Sequence, residues 1–197
     1  MRSKKSIRRK RELKRSYLLI VDGESEIVYL KSLKSSNIFI EPTIPKKKSF
    51  DSIYNFFKKS IESKKYDEIF WIVDLDVVVK EKKLDSLIEY RKKYENRRDI
   101  SILINNPCLE FWFCLHYELK NFKNSCKDVI SYLKRKDEFK SYSKKGKDIE
   151  SISKRLLSRL DIAIKNAKSR GCSLERDNLL SCSMMHILFE KNILSKI

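Results

Sequence analysis

Residues 17–29 (YLLIVDGESEIVY) contain the pattern that decides the fold. An apolar run, residues 17–21, stops at Asp22, and apolar residues at helical spacing begin at Ile27. A short apolar run bounded by a turn is typical of a buried strand, so the stretch predicts a strand, a tight turn and a helix. Carboxylates crowd the turn, and in open α/β sheets binding sites form where strands end. The turn is therefore the first place to look for chemistry.

Further apolar runs continue the alternation of strands and helices. They predict strands at 37–41, 68–76 and 100–104 and helices at 50–61 and 84–94. This alternation is typical of an α/β protein with a mostly parallel sheet, and the continuous apolar strands indicate helices on both faces. From about residue 125 onward the pattern is helical, and no further strand is predicted.

Length and charge place limits on the class of protein. The 197 residues suffice for one domain with a substantial core. We expect a basic arm (1–15), an α/β core (16–122) and a helical C-terminal region packed on that core (123–197). The chain has 45 Lys and Arg against 27 Asp and Glu, a net charge of +18. Such an excess favours a polyanionic partner such as RNA or DNA, and the alternative is a lysine-rich, solvated surface.

Two basic segments are candidates for contact with a nucleic-acid backbone. The arm carries nine Lys or Arg and one Glu, a net charge of +8, and the release of counterions would favour its binding to phosphates. The alternative is an unbound, solvated tail. Residues 149–170 predict an amphipathic helix whose polar face is basic. The arginines chosen as candidate contacts are Arg8, Arg9, Arg11, Arg155 and Arg159.

Cysteine usage and hydropathy bear on the cellular compartment. The five cysteines are odd in number, and no two form a C-x-x-C pair, so we predict reduced thiols rather than a disulfide framework or a zinc site. No apolar run approaches the roughly 18 residues of a membrane span. The basic N-terminus does not continue into a signal peptide. We therefore expect a cytoplasmic protein without membrane contact.

Asp74 and Asp76 lie at the end of the predicted third strand. Residues two apart on a strand face the same side, roughly 6.6 Å apart, and two such carboxylates repel each other unless a cation lies between them. Mg²⁺ prefers oxygen ligands of this kind. If the first and third strands are neighbours, Asp22 or Glu26 would complete the site. The alternative is that the two aspartates lie at a solvated loop end and that Glu26 stabilises the first turn of a helix through the helix dipole.

Residues 105–117 (NNPCLEFWFCLHY) predict a buried helix. Asn106 is suited to the N-cap and Pro107 to the first helical position. The residues that follow are apolar almost all round, so Glu110 needs a cation, a metal or strong hydrogen-bond donors.

Glycine and histidine are rare in this chain, with three and two residues. Gly23 lies beside the acids of the first turn, which predicts either a positive φ or a close approach to a ligand. His116 shares an apolar stripe and is predicted to be a core residue rather than a ligand. The same prediction applies to His186.

Three stretches together resemble one known family. They are LLIVDGESEIVYL, IVDLD and NNPCLEFWFCLHY. They are similar to the RloB family, also called AbiLii-like, whose domain is of the Toprim type, and the resemblance extends to SCSMMHILFE near the C-terminus. The element NNP-x-x-E-x-W-x-x-x-H is specific to that family. The acidic turn and Asp-x-Asp occur more widely in Toprim domains, including those of OLD-type nucleases.

The resemblance implies a Toprim fold in which the acid of the first strand and the Asp-x-Asp pair bind Mg²⁺ or Mn²⁺. It also implies a role in bacterial phage defence, with a partner ATPase of the ABC/AAA kind. The family pattern usually has Glu before the glycine, where this chain has Asp22, which is one methylene shorter. Either Glu24 or Glu26 compensates for the difference, or the activity is weakened.

The patterns, together with what the resemblance implies, favour a metal-dependent nuclease that cleaves RNA, such as tRNA, or DNA in abortive phage defence. The predicted metal ligands are Asp22, Glu26, Asp74 and Asp76. Glu110 is predicted as a second-metal ligand or an acid–base group. One alternative is a non-catalytic, basic subunit that binds or senses nucleic acid. Another is a Toprim enzyme that acts on the phosphates of nucleotides.

Overall fold

The computed structural model describes residues 15–21, 23–34, 39–43, 49–122, 125–174 and 179–194. The strands in these ranges are β1 (Ser16–Ile20), β2 (Phe39–Thr43), β3 (Glu68–Asp74), β4 (Ile100–Asn106) and β5 (Cys182–Ser183). The helices are α1 (Glu24–Leu33), α2 (Phe50–Glu62), α3 (Leu75–Lys80), α4 (Leu84–Tyr94), α5 (Leu109–Leu115), α6 (Cys126–Leu133), α7 (Gly146–Leu156), α8 (Leu160–Arg170) and α9 (His186–Glu190). None of these helices is long and apolar enough to cross a membrane.

The five strands form one sheet in the order β2-β1-β3-β4-β5. The first four strands are parallel, and β5 pairs antiparallel with the end of β4. The predicted α/β class, with a mostly parallel sheet flanked by helices, is confirmed, and it is consistent with a Toprim-like fold. The prediction of no strand after residue 125 is wrong, because a two-residue strand is too short to show a periodic pattern.

Alternate residues of each strand supply two separate cores. Leu19 and Val21 of the first strand segment face a core built with α1 and α5 to α9. Leu18 and Ile20 face the other core, which α2, α3 and α4 cover. This separation follows from the period of two along a strand, and it explains why the strand sequences are apolar at every position. The helices of the C-terminal region therefore share the core of α1 and α5.

The basic segment 149–170 is not one helix. α7 ends at Leu156, a 3-10 turn follows over Leu157–Arg159, and α8 then begins. The apolar spacing of threes and fours continues through the turn, so periodicity alone does not reveal the break. In the second strand, β2 includes Pro42, which is tolerated because β2 lies at the edge of the sheet.

Candidate acidic site at the carboxyl edge of the sheet

The carboxyl ends of β1, β3 and β4 meet at one edge of the sheet. β3 lies between the other two strands, and its last residue, Asp74, is in register with Asn105 of β4. Because the strands are parallel, the segments that follow them lie side by side. Four carboxylates from four different elements belong to this edge. They are Glu26 of α1, Asp74 of β3, Asp76 of α3 and Glu110 of α5.

Gly23 makes space for the carboxylate of Glu26. Its backbone is extended, with φ −125° and ψ 156°, so the predicted positive φ is wrong. A Cβ at this position would lie 2.1 Å from Oε2 of Glu26, so the close approach is to a side chain of the same helix. Glu26 is 6% exposed. Asp22, the acid predicted to begin the site, lies outside the described residues.

Asp74 is held by groups from two neighbouring elements. It is buried, and its Oδ1 accepts a hydrogen bond from Nδ2 of Asn105 at 3.3 Å. Its Oδ2 accepts from the backbone N of Leu109 at 3.4 Å. Ser183 of β5 donates to Oδ1 of Asn105 at 2.7 Å and so orients the amide. Nothing in the local sequence pattern indicated that Asn105 and Ser183 would position this carboxylate.

Asp76 does not lie on the third strand, so the prediction that it shares a strand face with Asp74 is wrong. The strand ends at Asp74, and the backbone N of Asp76 donates to the carbonyl of Pro107 at 3.1 Å in the first turn of α3. Burial raises the pKa of the Asp76 carboxyl. The backbone N–H of Val77 and the Lys144 ammonium lower this pKa, whereas the Glu110 carboxylate raises it further. The Asp76 carboxyl therefore interacts with Lys144 and Glu110, but it reaches them from the first turn of α3 rather than from β3.

The start of α5 also differs from the prediction. β4 continues to Asn106, the Asn106–Pro107 peptide bond is cis, and α5 begins at Leu109 with Cys108 as its N-cap. Asn106 is therefore not the N-cap. Its Nδ2 instead donates to the carbonyl of Leu180 at 2.9 Å, which links β4 to the segment before β5.

Glu110 is 1% exposed and has the strong partners that its burial requires. Its Oε1 accepts from the hydroxyl of Tyr142 and from Nζ of Lys144, both at 2.9 Å. Burial raises the pKa of Tyr142, so this hydroxyl remains protonated and continues to donate. Both partners come from the segment between α6 and α7, more than 30 residues away, and the sequence offered no signal for either.

Among the described residues, the ammonium of Lys144 interacts with all four carboxylates. Burial acts to lower its pKa, but Glu110, Asp74 and Glu26 outweigh that effect, so the pKa is raised and the group stays charged. Its side chain nevertheless remains 44% exposed. Several carboxylates therefore lie within the electrostatic reach of one ammonium, and carboxylate oxygens are the ligands that hard divalent cations prefer.

The cysteines are not all reduced thiols, contrary to the prediction. Cys108 is bonded to Cys126, and Cys172 to Cys182, whereas Cys114 is a buried free thiol. The paired residues are 18 and 10 positions apart, and counting cysteines cannot reveal such pairs.

One set of metal-ligating side chains converges closely among the described residues. The ligand atoms of Cys108, Glu110 and Cys126 all lie within 4.8 Å of one another. Within the described part of the chain, Glu26, Asp74 and Asp76 do not form a group of three at that distance.

The predicted core histidine, His116, is buried directly after α5 as its C-cap. It is 2% exposed, and its Nδ1 lies 2.9 Å from the carbonyl of Trp112. Burial lowers the pKa of His116 to about 4, so the ring is neutral at pH 7. His186 is only partly buried.

The basic residues predicted to bind nucleic acid lie away from the acids or outside the described chain. Both arginines are exposed: Arg155 lies in the last turn of α7, roughly 14 Å along the helix from its start, and Arg159 lies in the 3-10 turn that follows. The guanidinium of Arg159 stacks on the ring of Tyr117, 4.8 Å from its centroid. Arg8, Arg9 and Arg11 lie outside the described residues.

Together, these features define an α/β protein with a charged site at the carboxyl edge of a mostly parallel sheet. Residues 17–191 match the sequence model of the family described as RloB-like protein, and the chain belongs to this family. No curated protein and no solved structure matches the chain.

Proposed function

We propose that this chain is a metal-dependent nuclease of the Toprim type that cleaves RNA, such as tRNA, or DNA. Membership of the RloB-like family supports the proposal. The observation that carries it is the meeting of Glu26, Asp74, Asp76 and Glu110 at one edge of the sheet, in the field of Lys144. The net charge of +18 favours a polyanionic substrate.

The donor set fits a hard divalent cation. Carboxylate oxygens are the ligands that Mg²⁺ and Mn²⁺ prefer. The ammonium of Lys144 interacts with three of these carboxylates, so the site already accommodates one positive charge. Asp74, Asp76 and Glu26, with Asp22 of the first turn, would hold the ion. When bound, such an ion stabilises negative charge on the scissile phosphate and acidifies a coordinated water.

The chain's own groups supply the remaining steps. Tyr142 and Lys144 both donate to Oε1 of Glu110, and Oε2, which lies 3.4 Å from Sγ of Cys126, is the oxygen that would accept a proton from the attacking water. The partly exposed Lys144 ammonium can turn toward a phosphate oxygen and oppose its charge. Exposed arginines such as Arg155 would hold the substrate backbone outside the acidic site.

The test is cleavage of labelled tRNA, single-stranded RNA and DNA with Mg²⁺ or Mn²⁺. Asp74→Asn and Asp76→Asn each preserve side-chain volume, and each is expected to lower the cleavage rate about a hundredfold. Asp161→Asn, an exposed aspartate of α8, is the matched control and is expected to cleave at the normal rate. Cleavage that survives in the double variant Asp74→Ala, Asp76→Ala would overturn the proposal.

We further propose that the nuclease is the effector of an anti-phage abortive-infection system and is controlled by an ABC/AAA-type ATPase. An unrestrained nuclease is toxic, so control by a partner is expected. Phage plating efficiency should fall when the chain is expressed with such an ATPase, and Asp74→Asn should restore plating. Protection that persists with Asp74→Asn would show that cleavage is not the effector step.

A non-catalytic nucleic-acid binder is the second candidate, and Lys144 is the observation that favours it. Its ammonium already neutralises part of the acidic charge without any metal. A binder would show affinity that falls with salt concentration, as counterion release requires, and no metal-dependent cleavage with or without a partner protein.

A further inference from the structure

The two cysteines of one disulfide flank the buried carboxylate of Glu110. Cys108 immediately precedes α5, and Cys126 is the first residue of α6. Cys108 and Glu110 are each 1% exposed, whereas Cys126 is partly exposed and gives the group an opening to solvent. Oε2 of Glu110 lies 3.4 Å from Sγ of Cys126. Three potential ligand atoms, from the start of α5 and the start of α6, therefore lie within 4.8 Å of one another.

The charge around this group depends on the oxidation state of the sulfurs. In the disulfide, Glu110 and Lys144 form a neutral pair at 2.9 Å, and Lys144 Nζ also lies 3.5 Å from Sγ of Cys126. In a dithiol that has lost both protons, two thiolates and one carboxylate would face a single ammonium. Three negative charges and one positive charge leave −2, which one divalent cation balances.

We propose that Cys108, Cys126 and Glu110 form a binding site for one thiophilic divalent ion such as Zn²⁺ when the disulfide is reduced. Zn²⁺ binds thiolate sulfur at ~2.3 Å and carboxylate oxygen at ~2.0–2.2 Å in tetrahedral geometry. Ligand atoms in such a site are roughly 3.5–3.8 Å apart. The three atoms already lie within 4.8 Å of one another, so small side-chain rotations after reduction bring them to ligand positions. A water molecule would fill the fourth position.

This site differs in chemistry from the proposed hard-cation site. Thiolates select Zn²⁺ over Mg²⁺, whereas Asp74 and Asp76 offer only oxygen. Glu110 is the proposed proton acceptor of the acidic site, so an ion at the cysteines would draw this carboxylate away from Lys144.

The metal site forms only after the Cys108–Cys126 disulfide is reduced to two thiols. A phosphine reductant gives two electrons to the Cys108–Cys126 bond and takes oxygen from water to become a phosphine oxide. The two protons of that water go to the sulfurs, which gives two thiols. Metal binding then releases both thiol protons to solvent.

The second disulfide, Cys172–Cys182, is a control for reduction without formation of a metal site. Cys172 and Cys182 lie beside the apolar core that α2, α3 and α4 cover. Within the described ranges, they belong to no group of three metal-ligating side chains. Reduction of this pair is expected to produce two thiols without a metal site.

The experiment measures Zn²⁺ binding by the full chain in competition with a chromophoric chelator, without nucleic acid or Mg²⁺. We expect the phosphine-reduced chain to bind one more Zn²⁺ ion than the oxidised chain. Co²⁺ should give thiolate charge-transfer absorption in the reduced chain alone. Cys108→Ser and Cys126→Ser should each weaken Zn²⁺ binding at least about tenfold, and Glu110→Gln should weaken it less. The double variant Cys172→Ser, Cys182→Ser should bind normally.

The proposal fails if the reduced chain binds no more Zn²⁺ than the oxidised chain. It also fails if Cys126→Ser binds the additional ion as tightly as the unmodified chain, or if the Cys172→Ser, Cys182→Ser control loses that ion, with circular dichroism establishing that each variant is folded. Asp74→Asn should retain Zn²⁺ binding while it loses cleavage. The thiophilic site and the nuclease proposal can therefore fail separately.

Discussion

The two ends of the sheet use the same charged residue types in opposite ways. At the amino end, Arg97 and Asp99 form an ion pair at 2.6 Å in which both side chains are about half exposed. At the carboxyl end, Glu110 and Glu26 are almost completely buried, and several carboxylates share the charge of Lys144. Exposed pairs are worth roughly 0–1 kcal/mol, whereas buried charges require strong partners.

The pKa shifts have opposite directions at the two ends. Arg97 lowers the pKa of Asp99, as an ordinary salt bridge does. Burial raises the pKa of Asp76 despite the nearby lysines. A buried carboxyl whose pKa is raised is characteristic of functional sites, so the pKa of Asp76 separates this end of the sheet from the surface ion pair.

The largest expected difference between the two ends is in folding stability. Glu110→Ala leaves the buried hydroxyl of Tyr142 without its acceptor and removes the anion that pairs with Lys144, at a cost of about 2–3 kcal/mol. Asp99→Ala removes only an exposed partner and should cost less than about 1 kcal/mol. Urea denaturation of the two variants measures both free energies of unfolding. Equal losses would contradict the distinction.

A smaller effect is expected on metal affinity. Lys144 competes with a divalent ion for the same carboxylates, so Lys144→Gln should tighten Mn²⁺ binding by about three- to tenfold. Lys154→Gln is the matched control, because Lys154 pairs with Glu150 at the surface of α7 at 2.8 Å. Calorimetric titration of both variants with Mn²⁺ measures the change. Weaker binding by Lys144→Gln would mean that the ammonium supports the ion rather than competes with it.

The smallest effect is on the pH dependence of stability. Because the pKa of Asp76 is raised in the folded state, the folded chain binds more protons than the unfolded chain just above the ordinary aspartate pKa. Its contribution therefore falls as pH rises through that window, and Asp76→Asn should be more stable at pH 7, by less than about 1 kcal/mol.

Asp99 should show the reverse sign. Its pKa is lowered, so its contribution is present at neutral pH and is lost as pH falls through the lowered value. Asp99→Asn should therefore be slightly less stable at pH 7. Denaturation midpoints between about pH 3 and pH 7 test both signs, and the same sign for both variants would refute the assignment.

Several features of the site were predictable because they depend on local pattern. The apolar runs predicted β1, β3 and β4, and parallel strands place their following residues at one edge. The helical pattern of α5 predicted that Glu110 is buried and needs a cation or strong donors. Asp76 was assigned to the third strand because the run that leads to the two aspartates is nearly all apolar. In the structure it lies in the first turn of α3, where its backbone N donates to the carbonyl of Pro107, a residue distant in the sequence.

The sequence by itself determined the alternation of strands and helices, the excess of positive charge and the burial of Glu110. These follow from residue type and short-range periodicity. Only the tertiary structure decided that Lys144 and Tyr142 pair with Glu110, that Gly23 gives space to Glu26, and which cysteines are bonded. Such contacts join residues that are far apart in the chain or depend on side-chain direction, and no local pattern records which distant groups the fold brings together.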